Sequence, residues 1–220
     1  MSNPTHEVLI STASGANSTP RKKLLIATAN PGKLHEIKEM LEGLDYDIQG
    51  IADLGLRNDY VEEGDTHEEI AMKKARYFFD QCGIMTMADD SGIIVDALKS
   101  ELGVKTRRWG AGEKVSDVEW LAYFMKAMEH VPEKQRTAHF VCCCCVIDAE
   151  GQAHLFKGQT DGIISREVEA PIKHGLPLSS VFRPNGYDEV YSALEVAEKN
   201  EVSHRGKAVK KVREWMKEGL

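Results

Sequence analysis

The stretch Ile84-Met85-Thr86-Met87-Ala88-Asp89-Asp90-Ser91-Gly92-Ile93-Ile94-Val95 sets two adjacent carboxylates between apolar runs of strand character. Extended backbone sends neighbouring side chains to opposite faces, so one carboxylate can bind a metal or activate water while the other braces the turn. The competing reading is a tight turn in which Asp and Gly supply only hydrogen bonds and permissive dihedrals.

Three other segments bear on that choice. Leu24-Leu25-Ile26-Ala27-Thr28 reads as a buried strand that passes through Ala29-Asn30-Pro31-Gly32 to Lys33 and a helix with apolar Leu34, Ile37, Met40 and Leu41. Strand, polar loop and helix start form an anion site, to which Lys33 adds a full charge. It is not a Walker A loop, because the spaced first glycine and the Ser or Thr after Lys are missing. Further on, Thr66 and Glu69 have capping-box spacing and predict a helix running towards Gly83. Glu62 and Glu63 precede that cap, where either could reach a cation shared with Asp90, while Lys74 sits mid-helix, facing either a cleft or solvent. In the last segment, Glu198 to Lys207, Ser203 is placed as an N-cap and is followed by His204 and Arg205. Cations are unfavourable at a positive helix end, so this pair points to a negative or carbonyl-rich ligand.

Composition limits the classes open to the chain. Its 220 residues, 42% of them hydrophobic, suffice for one large domain or two lobes sharing a core. A formal charge of −7 argues against a sequence-independent nucleic-acid binder. No apolar run reaches membrane-spanning length, and residues 1–21 lack a signal-peptide core, so they read as a flexible tail on a cytoplasmic protein whose single domain covers 22–220. Cys142 to Cys145 lie in the apolar run Phe140 to Ile147, where alternation excludes one shared zinc site and predicts free, buried thiols in a central strand. Asp148-Ala149-Glu150-Gly151 then turns that strand into a second, with His139 and His154 as strand residues. Ser116 and Glu119 cap another helix, whose Trp120, Phe124 and Met128 face the core. The turn-rich stretches 170–177 and 182–187 suit a cleft rim.

Together these segments resemble, in identity and order, the inosine triphosphate pyrophosphatase family. The residues that carry the likeness are Thr28-Ala29-Asn30-Pro31-Gly32-Lys33, Thr66-His67-Glu68-Glu69 with Lys74-Ala75, Ala88-Asp89-Asp90-Ser91-Gly92, Arg136-Thr137-Ala138-His139-Phe140, and Glu198-Lys199-Asn200 with Ser203-His204-Arg205. The resemblance spans roughly residues 22–218. It implies an elongated α/β fold, with a mixed central sheet, flanking helices and two lobes around a nucleotide cleft, that forms a homodimer. It also implies Mg²⁺-assisted hydrolysis of a nucleoside triphosphate such as ITP, dITP or XTP to monophosphate and pyrophosphate, while the charge and the lack of a membrane-spanning run predict no nucleic-acid or membrane partner. Asp90 is then the general base and a metal ligand, joined by Glu62 or Glu63, between which the spacing does not choose. Thr28, Asn30, Gly32, Lys33, Lys74, Ser91 and Lys199 become phosphate contacts, and Ser203, His204 and Arg205 base contacts. Arg108 falls where the family carries a basic residue.

One loop departs from the pattern. The family's Gly-Phe-Gly-Tyr-Asp-Pro appears as Gly175-Leu176-Pro177-Leu178-Ser179-Ser180, so Leu176 replaces an aromatic ring and Ser179 an aspartate. Two alternatives to the implied function follow: the same chemistry on a different nucleotide, and a nucleotide-binding regulatory protein without turnover.

Overall fold

The computed structural model describes residues 21–98, 101–112 and 114–219, so the tail expected over 1–21 lies outside it except for Arg21. Strand β1 (Lys22–Ile26) leads into helix α1 (Pro31–Met40), and β2 (Tyr46–Gly50) follows. Helix α2 (His67–Cys82), strand β3 (Thr86–Val95) and helix α3 (Asp117–Ala127) come next, then strands β4 (Thr137–Ile147) and β5 (Ala153–Ile164). The short β6 (Phe182–Pro184) and helices α4 (Val196–Val202) and α5 (His204–Lys217) complete the order.

Six strands form one mixed sheet in the order β2-β1-β3-β4-β5-β6. β1 is parallel to β2 and β3, and the remaining pairs are antiparallel. Side-chain caps set the helix boundaries, those at Thr66, Ser116 and Ser203 as expected and one at Asn30 in addition. Asn30 Oδ1 accepts from the Gly32 and Lys33 amides, Thr66 Oγ1 from Glu69 and Ser203 Oγ from Gly206, while Ser116 and Glu119 close a full capping box. Helix α2 ends at Gly83, whose φ of 63° relieves the helix C-terminus in a conformation that L side chains rarely adopt.

The tight-turn reading of the acidic pair is overturned. β3 runs without a break, and Asp89 and Asp90 stand in register with Cys144 and Cys143 of β4. Gly92 serves close approach here, because a Cβ at that position would overlap the Gly103 carbonyl oxygen of the neighbouring 3₁₀ helix, Gly103–Arg108.

Three apolar clusters surround the sheet. On one face α1 and α5 cover Leu24, Ile26, Cys142 and Cys144; on the other α2 covers Leu25, Ala88, Cys143 and Cys145. The alternation of the four cysteines between these clusters is the expected one, and all four are free and buried. The third cluster gathers Ile93, Trp120, Phe124, Phe140, Leu178, Phe182 and Tyr191 around the far ends of β3 and β4. Asp89 to Gly92 therefore fall where one core stops and the next begins, which gives the two-lobed arrangement a place for polar side chains. No helix among the described residues is long and apolar enough to cross a membrane.

Candidate active site

A cleft of about 680 Å³ opens at that junction, a size typical of small-molecule sites. The loop before α1 forms one wall. Asn30 donates its side-chain N–H to the Gly175 carbonyl at 2.9 Å while its oxygen occupies two helix-start amides, so the predicted anion loop is already tied to the altered loop across the cleft. Gly32 permits this closeness: a Cβ there would sit 2.7 Å from the His174 carbonyl oxygen.

Beneath the loop, Lys33 Nζ lies 3.0 Å from the buried carboxylate of Asp89, and Arg205 Nε lies 3.5 Å from the same oxygen. Burial alone raises the Asp89 pKa, but Lys33 and Arg205 outweigh it and hold Asp89 well below the usual carboxylate range. Glu36, on the next turn of α1, pairs with both Lys199 and Arg205. Its burial is likewise outweighed by those two cations, which lower its pKa. Arg205 also donates to Ser91 Oγ at 3.2 Å. The helix-start cation thus finds its negative partners inside the protein, in Glu36 and Asp89, rather than needing a ligand as the sequence suggested. His204 solves the same problem by staying neutral, since burial and then Arg205, Lys33 and Lys199 push its pKa well below 6.5.

Opposite these groups, Lys74 of α2 bonds Glu62 at 2.5 Å, and Arg108 donates to the Glu62 carbonyl at 2.8 Å. Both glutamates were candidates, but only Glu62 lines the cleft; Glu63 is exposed and borders a shallow depression with Met72 and Lys73. Asp90 also lines the cleft, and its Oδ2 takes a 2.6 Å hydrogen bond from His67 Nδ1. Among the described residues no group of three His, Cys, Asp or Glu side chains forms a complete metal cage.

The far end of the cleft is largely aromatic. Phe140 stacks on His204 with ring centroids 4.5 Å apart and an interplanar angle of 11°, and Tyr191 and Trp120 also line the wall. Ser203 borders the same space, while Leu176 and Ser179 of the altered loop enclose it. The structure therefore brings together Thr28, Asn30, Lys33, Glu62, Lys74, Asp90, Ser91, Arg108, Lys199, Ser203, His204 and Arg205; Gly32 stands just behind and Glu63 outside. Glu36 and His67 escaped the sequence reading. Glu36 sits one turn after Lys33, the only local sign of its role, and His67 is masked by the capping pattern around Thr66.

Comparison with known proteins gives one consistent answer. The profile of the Ham1 family matches residues 24–215. A dITP/XTP pyrophosphatase of Desulforamulus reducens is 35% identical over 192 residues, covering 87% of this chain and 94% of its own length. The dITP/XTP pyrophosphatase of Bacillus subtilis is 34% identical, covering 87% and 95%. Among solved structures, a HAM1 protein from Coxiella burnetii superposes with a TM-score of 0.78 at 29% identity, covering 90% of this chain and all 100% of that one.

Proposed function

The chain belongs to the Ham1 family, and from that membership we propose that it hydrolyses deaminated purine nucleoside triphosphates, of the dITP and XTP type, to a monophosphate and pyrophosphate. The observation that carries this reading is that three cations, Lys33, Lys74 and Lys199, line one cleft with a carboxylate, Asp90, with which none of them pairs. A protein that only binds triphosphate loses affinity by keeping such a charge in the pocket, whereas a hydrolase needs it.

In this mechanism Lys33, Lys74 and Lys199 exchange their carboxylate partners for phosphate oxygens and hold the chain in line for attack. Thr28, Asn30, Gly32 and Ser91 supply neutral contacts, and Arg108 closes the open side. Asp90 takes the proton from the attacking water. Ser203, His204 and Arg205 stand at the base end. A guanidinium has five N–H donors, of which Glu36 and Ser91 take two, so Arg205 keeps donors for a 6-oxo acceptor and disfavours the amino group of adenine.

The donor chemistry fits Mg²⁺, which takes one or two carboxylates and completes its shell with phosphate oxygens and water; Asp90 and Glu62 are the carboxylates that line the cleft. When bound, the ion would neutralise phosphate charge and make a coordinated water more acidic. Homodimerisation and a cytoplasmic location belong to the same reading, and sedimentation tests the first.

The deciding experiment screens purified protein with Mg²⁺ against ITP, XTP, GTP and ATP for pyrophosphate release. Stepwise orthophosphate, equal rates in excess chelator, or preference for ATP would overturn the reading. Preference for GTP over ITP and XTP, with pyrophosphate still released, would change the purine and keep the chemistry, a change that Leu176 and Ser179 would explain.

A further inference from the structure

The neighbouring carboxylates of β3 are held in opposite ways. Asp89 is fully enclosed and neutralised by two cations, Lys33 and Arg205. Asp90 shares the cleft with cations, but the one hydrogen bond of its carboxylate among the described residues comes from the imidazole of His67. His67 is the first residue of α2, directly after the Thr66 cap, and its side chain is only 13% exposed. Helix α2 packs against β3 and β4, so the ring and the carboxylate rest on elements fixed by the core cluster of Ala71, Ala75, Phe78 and Ala88. Since a carboxylate accepts, the nitrogen facing it, Nδ1, carries a proton and donates it to Oδ2.

A carboxylate on two rotatable bonds that shares a cleft with three lysines can swing onto one of them once a ligand releases its partner. Such a collapse would cost the site twice, removing both a base and a phosphate-binding cation. A directional N–H donor on a rigid ring prevents it, because one hydrogen bond fixes the orientation of the carboxylate. We propose that His67 is a positioning residue for Asp90: its Nδ1–H holds Oδ2 and leaves Oδ1, which has no protein partner among the described residues, for the reacting water or a cation. The inference rests on the reading of Asp90 as the base, and adds to it a residue outside the phosphate and base contacts.

The geometry sets the test. An asparagine side chain can place an N–H near the position of ring Nδ1, a glutamine places it near Nε2, and a phenylalanine keeps the volume without a donor. His67→Phe and His67→Gln should lower kcat roughly 10–100-fold, the cost usual for losing a partner that orients a ligating or reacting group, with little change in KM for the triphosphate. His67→Asn should return to within about threefold of the parent, a rescue that a purely structural role does not give. Independently of turnover, long-range ¹H–¹⁵N spectra of the metal-free protein should show His67 protonated at Nδ1. An Nε2–H tautomer, equal kcat for all three variants, or a loss confined to KM would overturn the proposal. If His67→Phe fails to fold, the contrast between Asn and Gln decides. A parent inactive on every triphosphate removes the functional reading and this role with it, whereas an active parent with indifferent His67 variants removes the role alone.

Discussion

One end of the cleft is a lattice of ion pairs, Lys33 with Asp89, Lys74 with Glu62, and Glu36 with both Lys199 and Arg205, whereas the other, proposed above to hold the base, is walled by Phe140, His204, Tyr191 and the 175–179 loop. The difference is one of tolerance. A buried charge needs a partner of the right sign at the right distance, so each position in the lattice admits few residue types. An apolar wall needs volume and contact, which several side chains supply, so Leu176 and Ser179 can stand in an altered loop while Gly175 still accepts from Asn30. A substitution in the wall can therefore change which ligand fits without disturbing the ion pairs.

The strongest challenge to this contrast is Glu36→Ala, which leaves Lys199 and Arg205 buried without their shared carboxylate. Breaking a buried pair from one side costs about 3–5 kcal/mol, so urea unfolding should shift by that amount. A loss under about 1 kcal/mol would mean the lattice reorganises as freely as the wall. Next comes Asp90→Asn, which should fold and bind nucleotide yet lose about a hundredfold in kcat, equivalent to about 2.7 kcal/mol of barrier. A variant within threefold of the parent would take Asp90 out of the chemistry.

His204 probes the seam between the two ends. Its folded pKa is depressed below 6.5, so its contribution to stability is complete above that pH and is lost as pH falls towards the folded value, because the unfolded chain takes up the proton first. The slope is about 1.4 kcal/mol per pH unit for one proton. Denaturant midpoints measured at about pH 8 and about pH 5.5 should show it, and His204→Phe, which keeps the stack on Phe140, should flatten it. Equal slopes in both proteins would place the proton uptake elsewhere. The smallest effect belongs to Leu176→Phe. A ring added to the wall should tighten ITP by about 1 kcal/mol, roughly fivefold in KM, with kcat unchanged. No change for any purine would show that the loop lies outside the base site.

Local signals carried most of the fold. Thr66, Ser116 and Ser203 announced their helices through capping, and the cysteine run announced its strand through alternation. The acidic pair was ambiguous because Asp, Ser and Gly are poor strand formers; what keeps β3 straight is tertiary, the cations on Asp89 and the 3₁₀ helix seated against Gly92. The same holds for the site. Lys33, Lys74 and Asp90 lie inside legible motifs, but Glu36 meets its partners 163 and 169 residues away, a pairing no local pattern encodes. Glu62 and Glu63 could not be separated because they lie in an irregular segment without a period, where only folding decides which carboxylate turns inward.

The cysteine strand gives the molecule a clock. Cys142 to Cys145 are inaccessible in the centre of the sheet, and burial pushes the thiols of Cys143 and Cys145 up to about 12 and about 11, so neither forms the reactive thiolate in the native state. Cys82, at the end of α2, is the partly exposed exception. A thiol reagent should modify Cys82 at once and the other four only when β4 separates from its neighbours. The lag between the two phases then times the opening of the strand on which Asp89 and Asp90 are registered, without any engineered label.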